Sequence, residues 1–545
     1  MATRARPLGG LTSSLVLGLA LPLLAGAAAA QLPGQPVRSA AHPQWLKAHG
    51  GGHIWYCGAG DPEDFFFRGS RNADGTRTGD QDALIDKLIA QGGNTLYVET
   101  VRSHGGDGPA DHNPFINSNK DLGTDQDILD QWEGWIQRCE EAGILVYMFL
   151  YDDSSRVWST GNQVGVDEET YVRKIVDSFE HHPNIIWLVA EESEEAMSES
   201  KVRRIADIIA DADDHGHIIG NHHHSTTTFK AWAEGTTLEH FSIQLNVPAS
   251  EAHAGALDGR AKAEAAGAGG DAYFCMYTEA NFTLNGSDTV RRRYIWDSAM
   301  AGVMPMIFGV DIAGSSNQIL NWCRDQKDFF EQTTFYETEN RDDLAAAGTK
   351  WMLANPPFDY IAYTDADNGD LGIAGATPGF YDLLWMDTVT GNQVTQTGVS
   401  FGRGTQLLGR PAGIGDECAV WAERRWKDLG DALAGGQGLP LLDVSCDLVE
   451  GAPFRLELSN AKANEFVYTV VGWSLLDAPF EGGVLVPSVD VIVNGATDGG
   501  GNMSLSFPFP AGFPSGGSAY IQCWLRDPAG IAGFASSNAV QGIAP

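Results

Sequence analysis

Eight short apolar runs alternate with amphipathic stretches between about residue 50 and residue 345, and this rhythm constrains the fold more than any other feature. Most runs are continuously apolar, as expected for strands of a parallel sheet that is covered on both faces. The runs are HIWYCGAG (53–60), TLYVETVRS (95–103), LVYMFLYDD (145–153), IIWLVAEE (185–192), HIIGNHHH (217–224), FSIQLN (241–246), YFCMYTE (273–279) and VMPMIFGVD (303–311).

The stretches between the runs have the spacing of helices that cover such a sheet. DQDALIDKLIAQGG (80–93), for example, places four apolar residues on one helical face and ends in two glycines. Eight strands with helices in roughly 300 residues predict an α/β fold, the (β/α)8 barrel. A doubly wound sheet is the alternative, but the Gly-x-Gly-x-x-Gly of nucleotide-binding folds does not follow the first run.

The length of 545 residues predicts more than one domain. We expect the barrel to occupy residues 45–346. Residues 347–431 contain short strands broken by DNG and TGN turns, which predicts a small β-sandwich. A glycine-rich linker (432–440) precedes residues 441–545, where strands and turns with few charges predict a C-terminal β-sandwich module.

The first 30 residues have the pattern of a secretory signal. Arg4 and Arg6 precede the apolar segment LVLGLALPLLAGA, and small residues lie before Gln31. The apolar segment is too short to span a membrane comfortably, and no later segment approaches a spanning length. We therefore expect residues 1–30 to be cleaved and the mature protein to be secreted, periplasmic or on the cell surface.

The formal net charge of −36 disfavours nucleic acids and anionic lipids as partners, because such a surface repels phosphate groups. A neutral carbohydrate remains a suitable substrate. Seven cysteines form no Cys-x-x-Cys motif, which argues against a structural zinc site. An exported protein could form one or two disulfides, although the odd count leaves at least one thiol unpaired.

Polar residues follow the predicted strands, at the end of a barrel where catalytic groups are found. Any one of them alone would be an ordinary loop residue, but polar residues after all eight strands predict a site. Those we expect to bind substrate are Arg102, His104, Asp152, Glu191, Gln244 and Asp311.

Two glutamates are the best candidates for catalysis. Glu192 ends the fourth run and Glu279 ends the seventh, so the two lie on opposite sides of the barrel mouth. Glycoside hydrolysis needs two carboxyl groups that flank one bond, and a retaining enzyme holds them about 5–6 Å apart. The acidic first turn of a helix is the alternative explanation for the glutamates that follow residue 190.

Residues 45–345 resemble the apiosidase-like glycoside hydrolase family, within the broad group of retaining barrel glycosidases. The resemblance includes the Trp-containing fourth run that ends in glutamate, the histidines after the fifth, YTEANF at the seventh, and RRRYIWDSAMAGVMPMIFG (291–309). It implies that Glu192 is the acid/base, that Glu279 is the nucleophile and that His223 binds sugar. Tyr277 is expected on the same side of its strand as Glu279, so we expect it to bind substrate by stacking on a sugar ring.

The chain departs from this family at one position. The broad group to which that family belongs usually has Asn before the acid/base glutamate, and here that residue is Glu191. An amide donates a hydrogen bond to the sugar 2-hydroxyl, whereas an ionised carboxylate only accepts one. A non-catalytic carbohydrate-binding protein on an altered barrel is therefore the alternative function.

Metal and cofactor sites are not expected. The run NHHHS (221–225) cannot direct three imidazoles to one ion if it continues a strand, because neighbours alternate faces. DADNGD (365–370) has calcium-loop spacing but lacks the glutamate at position twelve, so a hairpin turn explains it better. A metal-dependent hydrolase is the third reading.

Overall fold

The structure is a computed structural model, and most of the chain is described. The described ranges are 30–60, 65–105, 108–153, 156–223, 237–266, 274–280, 286–307, 312–366, 368–377, 379–424, 426–445, 448–514 and 517–544. The predicted signal segment, apart from residue 30, and the predicted site residue Asp311 lie outside the described residues.

Eight parallel strands close into a barrel, which confirms the predicted fold class. Every strand pairs in parallel with its neighbours, and the last strand pairs with the first. The strands are β1 (Gly58–Gly60), β2 (Thr95–Glu99), β3 (Leu145–Tyr151), β4 (Ile185–Ala190), β5 (Ile219–His223), β6 (His240–Gln244), β7 (Phe274–Glu279) and β8 (Met304–Ile307). All residues of β3 and β4 are buried, as expected for strands covered on both faces.

Helices cover the barrel with their apolar faces inward. In the fourth, the Ser198 hydroxyl accepts from the Lys201 amide as an N-cap, and Val202, Ile205 and Ile209 are buried. The helices are α1 (Gln81–Gln91), α2 (Gln126–Glu141), α3 (Val166–Phe179), α4 (Glu199–Ala212), α5 (Ala252–Ala266), α6 (Asp288–Met300) and α7 (Asn317–Phe330).

Aromatic and imidazole rings fill the barrel interior. The Tyr97 ring lies 5.5 Å from the Tyr147 ring and 4.4 Å from the Phe149 ring. Below them, the Tyr147 hydroxyl hydrogen bonds to His240 Nε2, and His240 Nδ1 hydrogen bonds to the Phe274 carbonyl. These packed rings form a closed floor beneath the mouth, so the barrel interior is a core rather than a channel.

Two sheets follow the barrel in the middle of the chain. The six-stranded sheet has the order Glu339–Asn340, Trp351–Asn355, Asp359–Asp365, Glu417–Arg424, Gly379–Asp387, Gln393–Phe401. The three-stranded sheet has the order Ala345–Ala347, Leu371–Ile373, Gln406–Leu408. The predicted TGN turn joins two antiparallel strands, with Gly391 at a left-handed φ of 74°.

The middle sheet packs directly on helix α6. The rings of Trp296 and Tyr363 stack with centroids 5.3 Å apart. Glu417 accepts from Arg292 Nη2 at 2.6 Å and from Arg293 Nη2 at 2.7 Å. Apolar side chains of this sheet belong to the same core cluster as the barrel, so the two regions share one core.

The last part of the chain forms further antiparallel sheets. One has the order Trp426–Gly430, Ala539–Ile543, Ser518–Arg526, Phe466–Gly472, Val491–Ala496, with Phe534–Ser536 beside Ser518–Arg526. Another has the order Leu441–Ser445, Pro453–Ser459, Met503–Pro508. Two-stranded pairs are Pro36–Arg38 with Leu46–Ala48, Ser70–Arg71 with Arg77–Thr78, and Leu475–Phe480 with Gly483–Pro487.

Six cysteines lie in the described residues, and all are buried free thiols. Among the described residues, no helix is both long enough and apolar enough to cross a membrane.

Candidate active site

The chain turns sharply where β4 ends. The Glu191 amide still donates to the Tyr151 carbonyl at 3.1 Å, as in the strand before it. Glu192 then adopts the left-handed conformation, with φ 33° and ψ 45°. This conformation is unusual for a residue with a side chain and is found more often at functional sites. The turn interrupts the alternation of faces, so both glutamates can reach the mouth.

Glu279 lies at the end of β7 with its carboxyl group almost fully buried. Glu191, His222 and Glu279 each bring one nitrogen or oxygen atom within 4.8 Å of the others. His222 Nε2 lies 3.7 Å from Glu279 Oε2, and its Nδ1 lies 3.5 Å from the Tyr97 hydroxyl. The imidazole therefore connects the Glu279 carboxyl to the ring floor of the barrel.

Glu191 also contacts two buried groups from the β2 end. Arg102 Nη1 donates to Glu99 Oε2 at 3.0 Å and lies 3.9 Å from Glu191 Oε2. The carboxyl groups of Glu99 and Glu191 hydrogen bond to each other. Burial raises the pKa of Glu191 well above its usual range, and the nearby Glu99 and Glu279 carboxyls add to the effect.

Glu192 lies in a different and more open environment. Gln244 Nε2 donates to Glu192 Oε1 at 2.6 Å. Gln244 is the register partner of Glu279 on the neighbouring strand, so this hydrogen bond directs Glu192 towards the β7 side of the mouth. The carboxyl groups of Asp153 and Glu195 lie within 4.8 Å of that of Glu192. The Glu192 carboxyl thus accepts from an amide and lies among other acidic groups.

The remaining predicted residues lie at varied distances from this centre. His223 Nδ1 lies 2.9 Å from Glu194 Oε1, whereas its neighbour His222 faces Glu279. The His104 ring lies 6.0 Å from Phe115, and burial lowers its pKa, with Lys120 adding to the effect.

Asp152 and Tyr277 are both fully buried. After burial itself, the charge of Asp152 raises the pKa of Tyr171. The Tyr277 ring meets the Tyr294 ring edge-on at 4.9 Å. Within the described part of the chain, the buried Tyr277 hydroxyl has no hydrogen-bond partner.

Sequence reasoning missed Glu99, Tyr97 and His222. The sequence does carry a signal for Tyr97 and Glu99. They occupy alternate positions of one apolar run, so their side chains lie on the same face of the strand. The same alternation explains why His222 and His223 meet different carboxyl groups. It separates the histidines of NHHHS, as predicted, although His224 lies outside the described residues.

A cation site at Glu279 would have two carboxyl groups and one imidazole as ligands. The Arg102 guanidinium lies 3.9 Å from Glu191, and its fixed positive charge opposes a cation at that position. The arrangement is therefore better suited to carboxyl chemistry, in which a nucleophile and a proton donor act on opposite sides of one bond.

Comparisons with known proteins agree with the geometry. A family model described as "Apiosidase-like, catalytic domain" matches residues 75–354. A glycoside hydrolase family 5 structure from Bacteroides vulgatus has a TM-score of 0.54 at 13% identity, with 72% of this chain and 93% of that chain covered. A putative glycoside hydrolase structure from the same species has a TM-score of 0.55 at 12% identity, with 72% and 82% covered. At such identities the structural likeness concerns the fold.

None of the curated proteins matches the chain.

Proposed function

The chain belongs to the apiosidase-like family of glycoside hydrolases, and on that premise we propose that it cleaves a neutral oligo- or polysaccharide with retention of configuration. The observation that carries the proposal is the pair of strand ends at the mouth. Glu279 ends β7 in a buried setting, and the turn after β4 presents Glu192 to a residue paired with Glu279. Two carboxyl groups in different environments suit two different roles.

The proposed roles follow from these environments. Glu279 attacks the anomeric carbon, while Glu192 donates a proton to the departing glycosidic oxygen. The product of this step is a covalent glycosyl ester of Glu279. Glu192, now ionised, removes a proton from a water molecule that displaces the sugar from Glu279. We expect the two carboxyl groups to lie about 5–6 Å apart, the spacing that retention requires.

The charge at the mouth supports a neutral substrate. Asp153, Glu192 and Glu195 gather acidic groups there, and they would repel uronic acids or sulfated sugars. Arg102 is buried beside Glu99, so it is already engaged and does not offer an open anion site. The basic and apolar N-terminal segment supports export, and a polymeric substrate outside the cell is consistent with that proposal.

Covalent trapping tests the proposal directly. A panel of 2-deoxy-2-fluoro aryl glycosides, including an apioside because of the family name, is incubated with the protein and followed by intact-protein mass spectrometry. We expect one reagent to add one glycosyl group, located on Glu279 by peptide mapping and absent in Glu279→Gln. Turnover of the parent glycoside without an adduct, or an adduct on another residue, would contradict the assignment.

Leaving-group dependence tests the role of Glu192. Glu192→Gln should slow poor leaving groups by about 10²–10⁴-fold and activated ones much less, because activated groups need little protonation. Azide should restore turnover of activated substrates by replacing water without a base. The matched control is Glu195→Gln, which alters the same acidic group but lacks the Gln244 hydrogen bond. If Glu191→Gln shows this pattern instead, the acid/base is Glu191.

A non-catalytic sugar-binding protein is the second candidate, because Glu191 occupies the position of the family's usual Asn. That candidate predicts saturable binding of oligosaccharides by calorimetry with neither turnover nor covalent adduct. The two outcomes separate binding from catalysis on the same panel of sugars.

A further inference from the structure

The buried groups around Glu191 do not balance in charge if all carboxyls are ionised. One buried guanidinium, that of Arg102, lies beside the buried carboxyl groups of Glu99 and Glu191, and a third buried carboxyl group, that of Glu279, lies beside Glu191. Isolated charges in a protein interior are costly, and a buried acid without a cationic partner takes up a proton instead. One guanidinium can compensate one carboxylate, so at least one of the three is under pressure to be neutral.

The hydrogen bonds indicate where that proton lies. Glu99 Oε2 accepts from Arg102 Nη1 at 3.0 Å, which stabilises Glu99 as the anion. Glu99 Oε1 is buried, and no N–H or other conventional donor of the described residues reaches it. Glu191 lies at the same guanidinium, with its Oε2 3.9 Å from Arg102 Nη1, and its interaction with Glu99 lowers the pKa of Glu99 and raises that of Glu191. Two carboxyl groups can hydrogen bond only if one of them carries a proton.

We propose that Glu99 and Glu191 share one proton, that this proton resides on Glu191, and that Glu99 is a positioning residue which keeps Glu191 neutral beside Glu279. Where it concerns turnover, this inference rests on the proposed function. The carboxyl pair itself exists or not regardless of whether the protein hydrolyses sugars.

The direction of both pKa shifts agrees with this assignment. Burial raises the pKa of Glu99, but its hydrogen bond with Glu191 and the charge of Arg102 act in the opposite direction. For Glu191, burial, the Glu99 charge and the hydrogen bond with Glu99 all raise the pKa. Other titratable or charged groups facing the pair are Tyr97, Arg102, Asp153, His222 and Glu279.

A neutral Glu191 resolves the departure from the family. An ionised carboxylate beside Glu279 would place a second negative charge next to the proposed nucleophile and would accept hydrogen bonds only. A carboxylic acid adds no charge, and it has an O–H donor, as the amide of the usual Asn has N–H donors. Glu99 and Arg102 thus allow a glutamate to serve at an amide position.

Infrared spectroscopy tests the pair without any substrate. Burial also raises the pKa of Glu423 to about 7 and of Asp359 to about 6, so neutral acids elsewhere contribute near pH 7. The measurement is therefore the spectrum of the wild type minus that of Glu191→Gln. We expect the carbonyl band of a neutral carboxylic acid in this difference at pH 7. In Glu99→Gln the acceptor anion is gone, so the pKa of Glu191 should fall. As the pH is raised, the carbonyl band of Glu191 should therefore disappear at a lower pH than it does in the wild type. A difference spectrum with only a carboxylate band would overturn the proposal.

The rate of hydrolysis of an activated aryl glycoside tests whether a neutral Glu191 matters for turnover. An activated substrate is used because it needs little leaving-group protonation. Glu191→Gln retains a neutral donor, so kcat/KM should fall by a smaller factor than in Glu99→Gln. Glu99→Gln lets Glu191 ionise beside Glu279 and should slow it about tenfold or more at pH 7, the effect of about one pKa unit in interaction.

The pH profile gives the last readout. Because the folded-state pKa of Glu191 is raised, its neutral form is present at low pH and lost as pH rises through that pKa. The alkaline loss of kcat/KM on the activated substrate should therefore vanish in Glu191→Gln. Equal losses in the two amide variants, with unchanged alkaline limbs, would overturn the positioning role. An infrared band without any turnover would instead reject the proposed function and leave the pair intact.

Discussion

Replacing Glu417 by Gln should destabilise the protein strongly, although the change adds no bulk. Glu417 binds Arg292 and Arg293 of helix α6 at 2.6 and 2.7 Å, and the side chains of Glu417, Arg292 and Arg293 are 15%, 6% and 40% exposed. Removing one partner of a buried ion pair costs about 3–5 kcal/mol. Because water can hydrate Arg293, we expect the lower end, about 3 kcal/mol, or about 4 °C in Tm for a cooperative unit as large as the barrel and middle sheet.

Asp416→Asn is the matched control for this prediction. Asp416 precedes Glu417, but its carboxyl group is 64% exposed and binds Arg410 at the surface. Such a pair contributes about 0–1 kcal/mol, so Tm should fall by about 1 °C at most. Both variants are compared with the wild type by calorimetry at pH 7. If Glu417→Gln falls no further than Asp416→Asn, the ion pair does not join the sheet to α6 as we infer.

The loss of stability in Glu417→Gln should also depend on pH. The Arg293 and Arg292 hydrogen bonds hold the pKa of Glu417 below its usual range, against the opposing effect of burial. A lowered folded-state pKa gives stability that is present above the unfolded pKa and lost as pH falls through the folded one. The Tm difference between wild type and Glu417→Gln should therefore shrink below about pH 4.

Three further predictions follow from the structure. Asp359 and Glu423 are cross-strand partners whose pKa values burial raises to about 6 and about 7. The unfolding free energy, measured by urea denaturation, should therefore fall as the pH rises from about 4 to about 7, and it should fall less in the double variant Asp359→Asn/Glu423→Gln. A chain ending at Arg424 should keep activity on a small substrate. A chain ending at Gly436 should aggregate more, as measured by light scattering, because it exposes Trp426, which is buried against the C-terminal core in the full chain. Prolonged chelation and added Zn²⁺ should leave turnover unchanged, and a loss restored by metal would favour a metal-dependent hydrolase instead.

The barrel could be predicted because its signals are local. A buried parallel strand needs apolar side chains on both faces, so each strand is a short apolar run that can be read without knowing its neighbours. The confirmed strands β3 and β4 lie within the runs at 145–153 and 185–192. The small sheets were predictable in type, through turns such as TGN, but their pairing order depends on contacts distant in sequence.

The candidate site was predictable only in part. Glu192 and Glu279 follow from strand ends, and the fold brings both to the mouth. The left-handed turn at Glu192 is set by tertiary contacts, since a glutamate has no preference for that conformation. The Gln244 hydrogen bond and the Glu99–Glu191 contact join residues on different strands, and only closure of the barrel shows that they meet.

Helix α6 faces two ways, and this has a consequence for how such chains evolve. On one side the Tyr294 hydroxyl donates to the Tyr277 carbonyl of β7, and on the other Trp296 stacks on the middle sheet. A gene fusion that exchanged the middle sheet would have to replace the surface of a helix that also supports a strand of the active site. Among the described residues, the junction beyond Arg424 crosses no such shared helix, and the ion pair of Arg424 with Asp443 at 2.6 Å is a contact that recombination there would have to replace. Terminal modules can then be added or removed while the barrel and the middle sheet are inherited together.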